Sequence, residues 1–140
     1  MNDQGAALEG IWRLVEARAW DADGRAIDAP PYGRFPIGQI TFGKGRMLAA
    51  LCNGDADAGP KRAYSSYGGA YRFDGKTLVC TVDIASDPSR IGGEQVRDIT
   101  LEGERMRMRP PLRSYGGAME RRELVWERVW RAFEPGSPGM

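Results

Sequence analysis

Apolar and polar residues alternate with a period of two along most of this chain, the pattern of half-buried β-strands. The stretch RMRMR puts Arg105, Arg107 and Arg109 on one face and Met106 and Met108 on the other. The methionines are expected inside and the arginines in water. In TLVCTVDIA, Leu78, Cys80, Val82 and Ile84 share a face opposite Val79, Thr81 and Asp83, and the Leu78 face is expected inside. Tyr67, Tyr71 and Phe73 share a face with Gly69 between them, and Gln95, Arg97, Ile99 and Leu101 lie opposite Val96, Asp98 and Thr100. Near the ends, Trp12 shares a face with Leu14, and Leu124, Trp126, Arg128 and Trp130 share another.

Turn residues punctuate these runs. Asp23-Gly24, Gly43-Lys44-Gly45, Asp74-Gly75 and Glu102-Gly103 each separate two alternating segments. Eight strands are predicted, over 10–20, 37–42, 46–51, 66–73, 76–85, 94–101, 104–109 and 119–129. The segments IDAPPYGRFP, CNGDADAGPKR, SDPSRIGG and PPLRSYGGA are expected to be loops. No stretch supplies the dozen-residue helix that a parallel crossover uses. Eight antiparallel strands in chain order predict an all-β, up-and-down barrel with a central cavity, which removes exposed edges by closure. A barrel of eight strands is wide enough for one small ligand. The domain is expected over 8–130, with a flexible N-terminus at 1–7 and a disordered tail at 131–140. The pentapeptide SYGGA occurs at 66–70 and 114–118 with unrelated flanks, and is read as chance.

The face that carries Ile99 and Leu101 inward also carries Arg97 and Gln95. An inward arginine in an apolar barrel is costly unless paired. It meets either a structural carboxylate or carbonyl array, or an anionic or carbonyl group of a ligand. The terminal strands must pair to close the barrel. That brings Trp12 to Arg128, with the guanidinium over the indole, while Gly10 lets another element approach.

Composition narrows the chemistry. The chain has 140 residues with 20 basic and 19 acidic side chains, so its charge gives no reason to expect a nucleic-acid partner. It contains no histidine, which excludes a Ser-His-Asp triad, a Cys-His dyad and His-ligated zinc or haem. Two cysteines, Cys52 and Cys80, suggest neither a disulfide framework nor a metal site. The Asp-rich loop lacks the order of a calcium loop. No secretory signal and no membrane-length apolar run is read, so a cytoplasmic protein without a membrane partner is expected.

The blocks GIWRLVEARAWDADGR, GRFPIGQITFGKGRM, YGGAYRFDG, GGEQVRDITLEGERM and LVWERV, in this order over about residues 8–129, resemble the bacterial and fungal lipocalin-like domain family of the calycin superfamily. The resemblance implies an antiparallel barrel around an apolar cavity, and a use that varies from ligand binding to cofactor-free cyclase and isomerase activity. Members often carry a histidine in the strand that here reads LVCTVD. Cys80 stands at that place, so no role of that histidine is carried over.

Three functional readings follow. In the first, the barrel binds a small hydrophobic or aromatic molecule lined by Phe42, Tyr67, Tyr71, Cys80, Val82, Met106, Met108 and Trp126, with Arg97 and Gln95 orienting its polar end. In the second, it is a cofactor-independent isomerase, cyclase or lyase acting on a polyketide-like or aromatic carbonyl compound. There Arg97 and Gln95 stabilise an enolate and Tyr71 acts as general acid; Cys80 has no evident neighbour to make it a nucleophile. In the third, the interior is filled and the barrel is structural or partner-binding, including a homodimer anchored by a rim-exposed Trp20. In all three, Gly10, Trp12 and Arg128 are structural, and no cofactor or metal is expected.

Overall fold

The structure is a computed structural model that describes residues 4–27, 32–60, 62–110, 113–115 and 118–132. The strands are β1 (Gly10–Asp21), β2 (Ala26–Ile27), β3 (Pro36–Gly43), β4 (Arg46–Asn53), β5 (Tyr64–Phe73), β6 (Thr77–Ala85), β7 (Glu94–Glu102), β8 (Arg105–Arg109), β9 (Arg113–Tyr115) and β10 (Ala118–Arg131). Pairing runs β1–β3–β4–β5–β6–β7–β8–β10, and β10 returns to β1, closing an eight-stranded antiparallel barrel. The short strands β2 and β9 continue the edges of β1 and β10 that β3 and β8 occupy, pairing farther along each strand. Residues 113–115, expected in a loop, therefore form a strand: they pair antiparallel with the start of β10. No helix among the described residues is long and apolar enough to cross a membrane.

Three β-bulges decide which side chains face inward. In each, one strand carries a residue with no opposite number, and the alternation changes parity there. On β1, Leu14 pairs with Trp126 but Glu16 pairs with Val125, leaving Val15 extra. Inward positions shift from Trp12 and Leu14 to Ala17 and Ala19. On β6, Gly68 pairs with Ile84 and Gly69 with Val82, leaving Asp83 extra. Ile84, expected inside, is turned out and is 56% exposed. On β10, Trp12 pairs with Arg128 and Ile11 with Trp130, leaving Val129 extra. Trp130 therefore leaves the face it was expected to share with Arg128 and is exposed. Leu101, one residue from the end of β7, is also uncovered, whereas Ile99 is buried.

The closest backbone approaches sit beside these bulges. A Cβ on Gly10, at φ +135°, would lie 2.1 Å from the Trp130 carbonyl oxygen. One on Gly69, at φ +155°, would lie 1.9 Å from the Thr81 carbonyl oxygen. Only glycine fits either place.

One end of the barrel is sealed. Gly5–Leu8 forms a 3-10 turn across it, with Gly5 and Leu8 buried. The Trp12 indole, fully buried, donates from Nε1 to the Leu8 carbonyl at 2.9 Å. The Arg128 guanidinium lies 4.3 Å from the Trp12 ring and donates to the carbonyls of Ala7 (2.8 Å) and Glu9 (3.1 Å). Gln4 N–H donates to the Phe73 carbonyl at 2.7 Å, and the Tyr71 hydroxyl donates to the Gly5 carbonyl at 2.8 Å. Residues 4–7 are thus packed as part of the barrel floor, whereas residues 1–3 lie outside the described set. Arg131, assigned above to the tail, ends β10 and forms an ion pair with Glu104, while 133–140 lie outside the described residues.

The arginines of RMRMR face outward, yet Arg107 and Arg109 are not simply solvated. They reach Glu123, which is only 2% exposed, at 3.5 and 2.9 Å, and Arg18 joins them at 3.7 Å. A buried carboxylate under three guanidiniums ties β1, β8 and β10 together across the closing seam.

Candidate functional site

Above the sealed floor the interior divides in two. Next to the floor it is filled. Trp12, Ile40, Phe42, Phe73, Leu78, Cys80, Val82 and Met106 are buried and belong to one continuous core cluster. Phe42 meets Tyr71 edge to face at 5.0 Å between ring centroids.

Toward the other end the barrel opens into a pocket of about 460 Å³. Its apolar lining comes from inward positions of four strands: Ala17 on β1, Ala49 and Leu51 on β4, Met108 on β8, and Leu124 and Trp126 on β10. Tyr67, 6% exposed, stands between this lining and a polar mouth. The mouth is formed by Gln95 and Arg97 on β7, Arg122 on β10, Ser65 on β5, and Asp87 and Arg90 on the loop after β6. Tyr32, Arg18 and Pro110 complete the rim.

The polar groups are organised around one amide. Gln95 Oε1 accepts from Arg90 Nη2 and from Arg97 Nη2, each at 2.9 Å. Both guanidiniums lie near the Tyr67 ring, at 4.4 Å (Arg90) and 5.9 Å (Arg97) from its centroid. Arg90 also donates to Ser65 Oγ at 3.3 Å, and Arg97 to its neighbour's carbonyl at 2.8 Å. Asp87 accepts from Ser89 N–H and Oγ–H and starts the short 3-10 turn Pro88–Arg90 that aims Arg90 inward. Arg122 is held by Glu120 at 3.1 Å. Trp126 is fully buried, and its indole N–H has no acceptor among the described residues.

Of the expected ligand contacts, Tyr67, Gln95, Arg97, Met108 and Trp126 come together around this pocket. Phe42, Tyr71, Cys80, Val82 and Met106 do not line it. They are packed into the core cluster or, for Tyr71, against it. Tyr71 is a correction of chemical weight. Its hydroxyl is engaged with the Gly5 carbonyl at the sealed end, so it is not placed beside Arg97 as a general acid. Cys80 lies in the core, and burial pushes its thiol up to about 11, so it is held protonated near neutral pH. Burial also pushes the Tyr67 phenol above its ordinary range, against the opposing pull of Arg97, so it stays protonated.

The sequence reading missed Arg90, Arg122, Ala17, Ser65 and Tyr32. Arg122 was accessible in principle, because it continues the alternation of Leu124 and Trp126 backward by two. Ala17 was hidden by the bulge at Val15. Arg90 and Tyr32 lie in irregular segments, where no period assigns a direction. The Asp-rich loop also has a structural task. Asp55 accepts from the backbone N–H groups of Arg34 (3.2 Å) and Phe35 (2.7 Å), and no metal-ligating cluster occurs among the described residues. Comparison with protein-family models, with curated proteins and with solved structures finds no match to this chain.

Proposed function

We propose that the chain is a lipocalin-like, up-and-down barrel that binds a small hydrophobic or aromatic molecule in a central cavity open at one end. The observation that carries this reading is the asymmetry of the interior. One end is sealed by Trp12, Arg128 and the 3-10 turn, and the other opens into a pocket of about 460 Å³ with an apolar lining and a polar mouth. That volume falls in the usual range of small-molecule sites, which are mostly apolar with a few placed polar groups. A barrel that served only as a scaffold would gain packing by filling this space. We assign it to the cytoplasm, where the free thiols of Cys52 and Cys80 stay reduced.

A cofactor-independent enzyme has less support. Among the described residues the pocket carries one carboxylate, Asp87, and two hydrogen bonds from Ser89 hold its pKa below the ordinary carboxylate range. That makes it a poor base near neutral pH. Binding is tested with the neutral fluorescent probe N-phenyl-1-naphthylamine. The native chain is expected to enhance its emission saturably. Ala17→Phe, which fills the pocket from β1, is expected to weaken binding at least tenfold while the circular dichroism spectrum stays unchanged. Equal binding by a folded Ala17→Phe protein would place the probe elsewhere and defeat the proposal.

A further inference from the structure

The polar groups of the pocket are nearly all donors. Arg90 and Arg97 share a single neutral acceptor, Gln95 Oε1, and neither guanidinium has a carboxylate at ion-pair distance among the described residues. By contrast, Arg18 and Arg122, the other arginines of the lining, are matched by Glu16 and Glu120 at 2.7 and 3.1 Å. Among the described residues Asp87 is the one acidic side chain of the lining, and it is turned to Ser89. Deeper in, Trp126 presents a buried indole N–H with no acceptor. Two cations on one amide oxygen repel each other. They leave N–H groups aimed at a partly enclosed space where water screens poorly.

From this arrangement we infer that the pocket selects an organic carboxylate, with its carboxylate between Arg90 and Arg97 and an apolar, preferably aromatic, body against Tyr67, Met108 and Trp126. A guanidinium presents a planar fork that matches a carboxylate's two oxygens, and an anion relieves the repulsion between the two cations. A neutral ligand would leave that repulsion in place. The Tyr67 ring beside the cations gives an aromatic body a surface to pack on. This inference rests on the ligand-binding reading and narrows its ligand class.

The test is calorimetric titration with a matched pair, 1-naphthylacetate and 2-(1-naphthyl)ethanol, on the full chain. The native protein is expected to bind the carboxylate at least tenfold more tightly than the alcohol. Arg90→Gln, in the loop, and Arg97→Gln, on β7, should each shrink that gap, and together abolish it, by weakening binding of the carboxylate more than that of the alcohol. Arg97→Lys keeps the charge and should retain part of the preference, which separates lost charge from lost fold. Equal affinity for the two compounds, or a preference unaltered in the folded Arg90→Gln protein, would overturn the inference. If N-phenyl-1-naphthylamine still binds in that case, the barrel remains a ligand binder of another selectivity. If the neutral probe does not bind either, the binding reading fails with it.

Discussion

At the scale of single residues, the same amino acid does different work at the two ends of the barrel. Arg128 is spent on structure: it lies over Trp12 and satisfies carbonyls of the 3-10 turn. Arg90 and Arg97 lie over Tyr67 but keep their charge uncompensated at the open mouth. Trp12 is fully buried, so Trp12→Ala is expected to cost about 3–5 kcal/mol in urea unfolding. A loss under 1 kcal/mol would mean that the floor does not depend on this residue. Cys80 gives a prediction with a definite sign. Its thiol ionises at about 11 in the folded chain against an ordinary 9.0, so folding favours the protonated form. That contribution is fully present below pH 9 and disappears as pH rises through 11, a loss of about 2–3 kcal/mol. Cys80→Ala should flatten this alkaline limb of the stability curve, and an unchanged limb would assign it to other groups.

At the scale of elements, the bulges explain most of what alternation misjudged. Period-two reasoning assigns every residue of a strand from any one of them, so a single extra residue inverts everything beyond it. Val15, Asp83 and Val129 are such residues, and Ala17, Ile84 and Trp130 change face because of them. Nothing in the side-chain pattern marks a bulge. The glycine at the adjacent close approach is the nearest local sign, as at Gly69 beside Asp83. Gly69→Ala would press a methyl group against the Thr81 carbonyl at a φ that favours glycine, and is expected to cost more than about 2 kcal/mol. A neutral result by thermal melting would show that β5 and β6 can separate locally. The strands without bulges behave as the alternation predicts, apart from Leu101 at the end of β7. In β8, Met106 and Met108 are buried, and in β7, Gln95, Arg97 and Ile99 share the inner face.

At the scale of the whole molecule, surface charge shapes the acid response. Glu16 beside Arg18, Asp83 beside Arg46, Asp74 under the N–H groups of Thr77 and Lys76, and Asp87 bonded to Ser89 all have pKa values held below the ordinary carboxylate range. A lowered pKa stabilises the fold above the ordinary values, 4.5 for Glu16 and 3.8 for the aspartates, and the gain is lost as pH falls through the folded ones. Denaturant midpoints should therefore hold from neutral down to about pH 5 and then drop. A curve flat to pH 2 would show that these pairs are equally populated in the unfolded chain.

Alternation and turn residues by themselves determined that this chain is all-β, which eight strands carry the fold, and that Arg97, Gln95, Met108 and Trp126 lie on inner faces. Each of those follows from local geometry, since a strand's two faces are set by its own sequence. The tertiary structure decided how far along the barrel axis each inward residue sits. Packing separates Tyr71, bonded to the floor turn, and Cys80, enclosed in the core, from Tyr67 and Arg97 on the pocket lining, and no periodicity along one strand encodes it. Height depends on the stagger between strands and on the three bulges. The position of Arg90 was fixed by a loop folded over the opening, where the direction of a side chain is a property of contacts made by residues far apart in sequence.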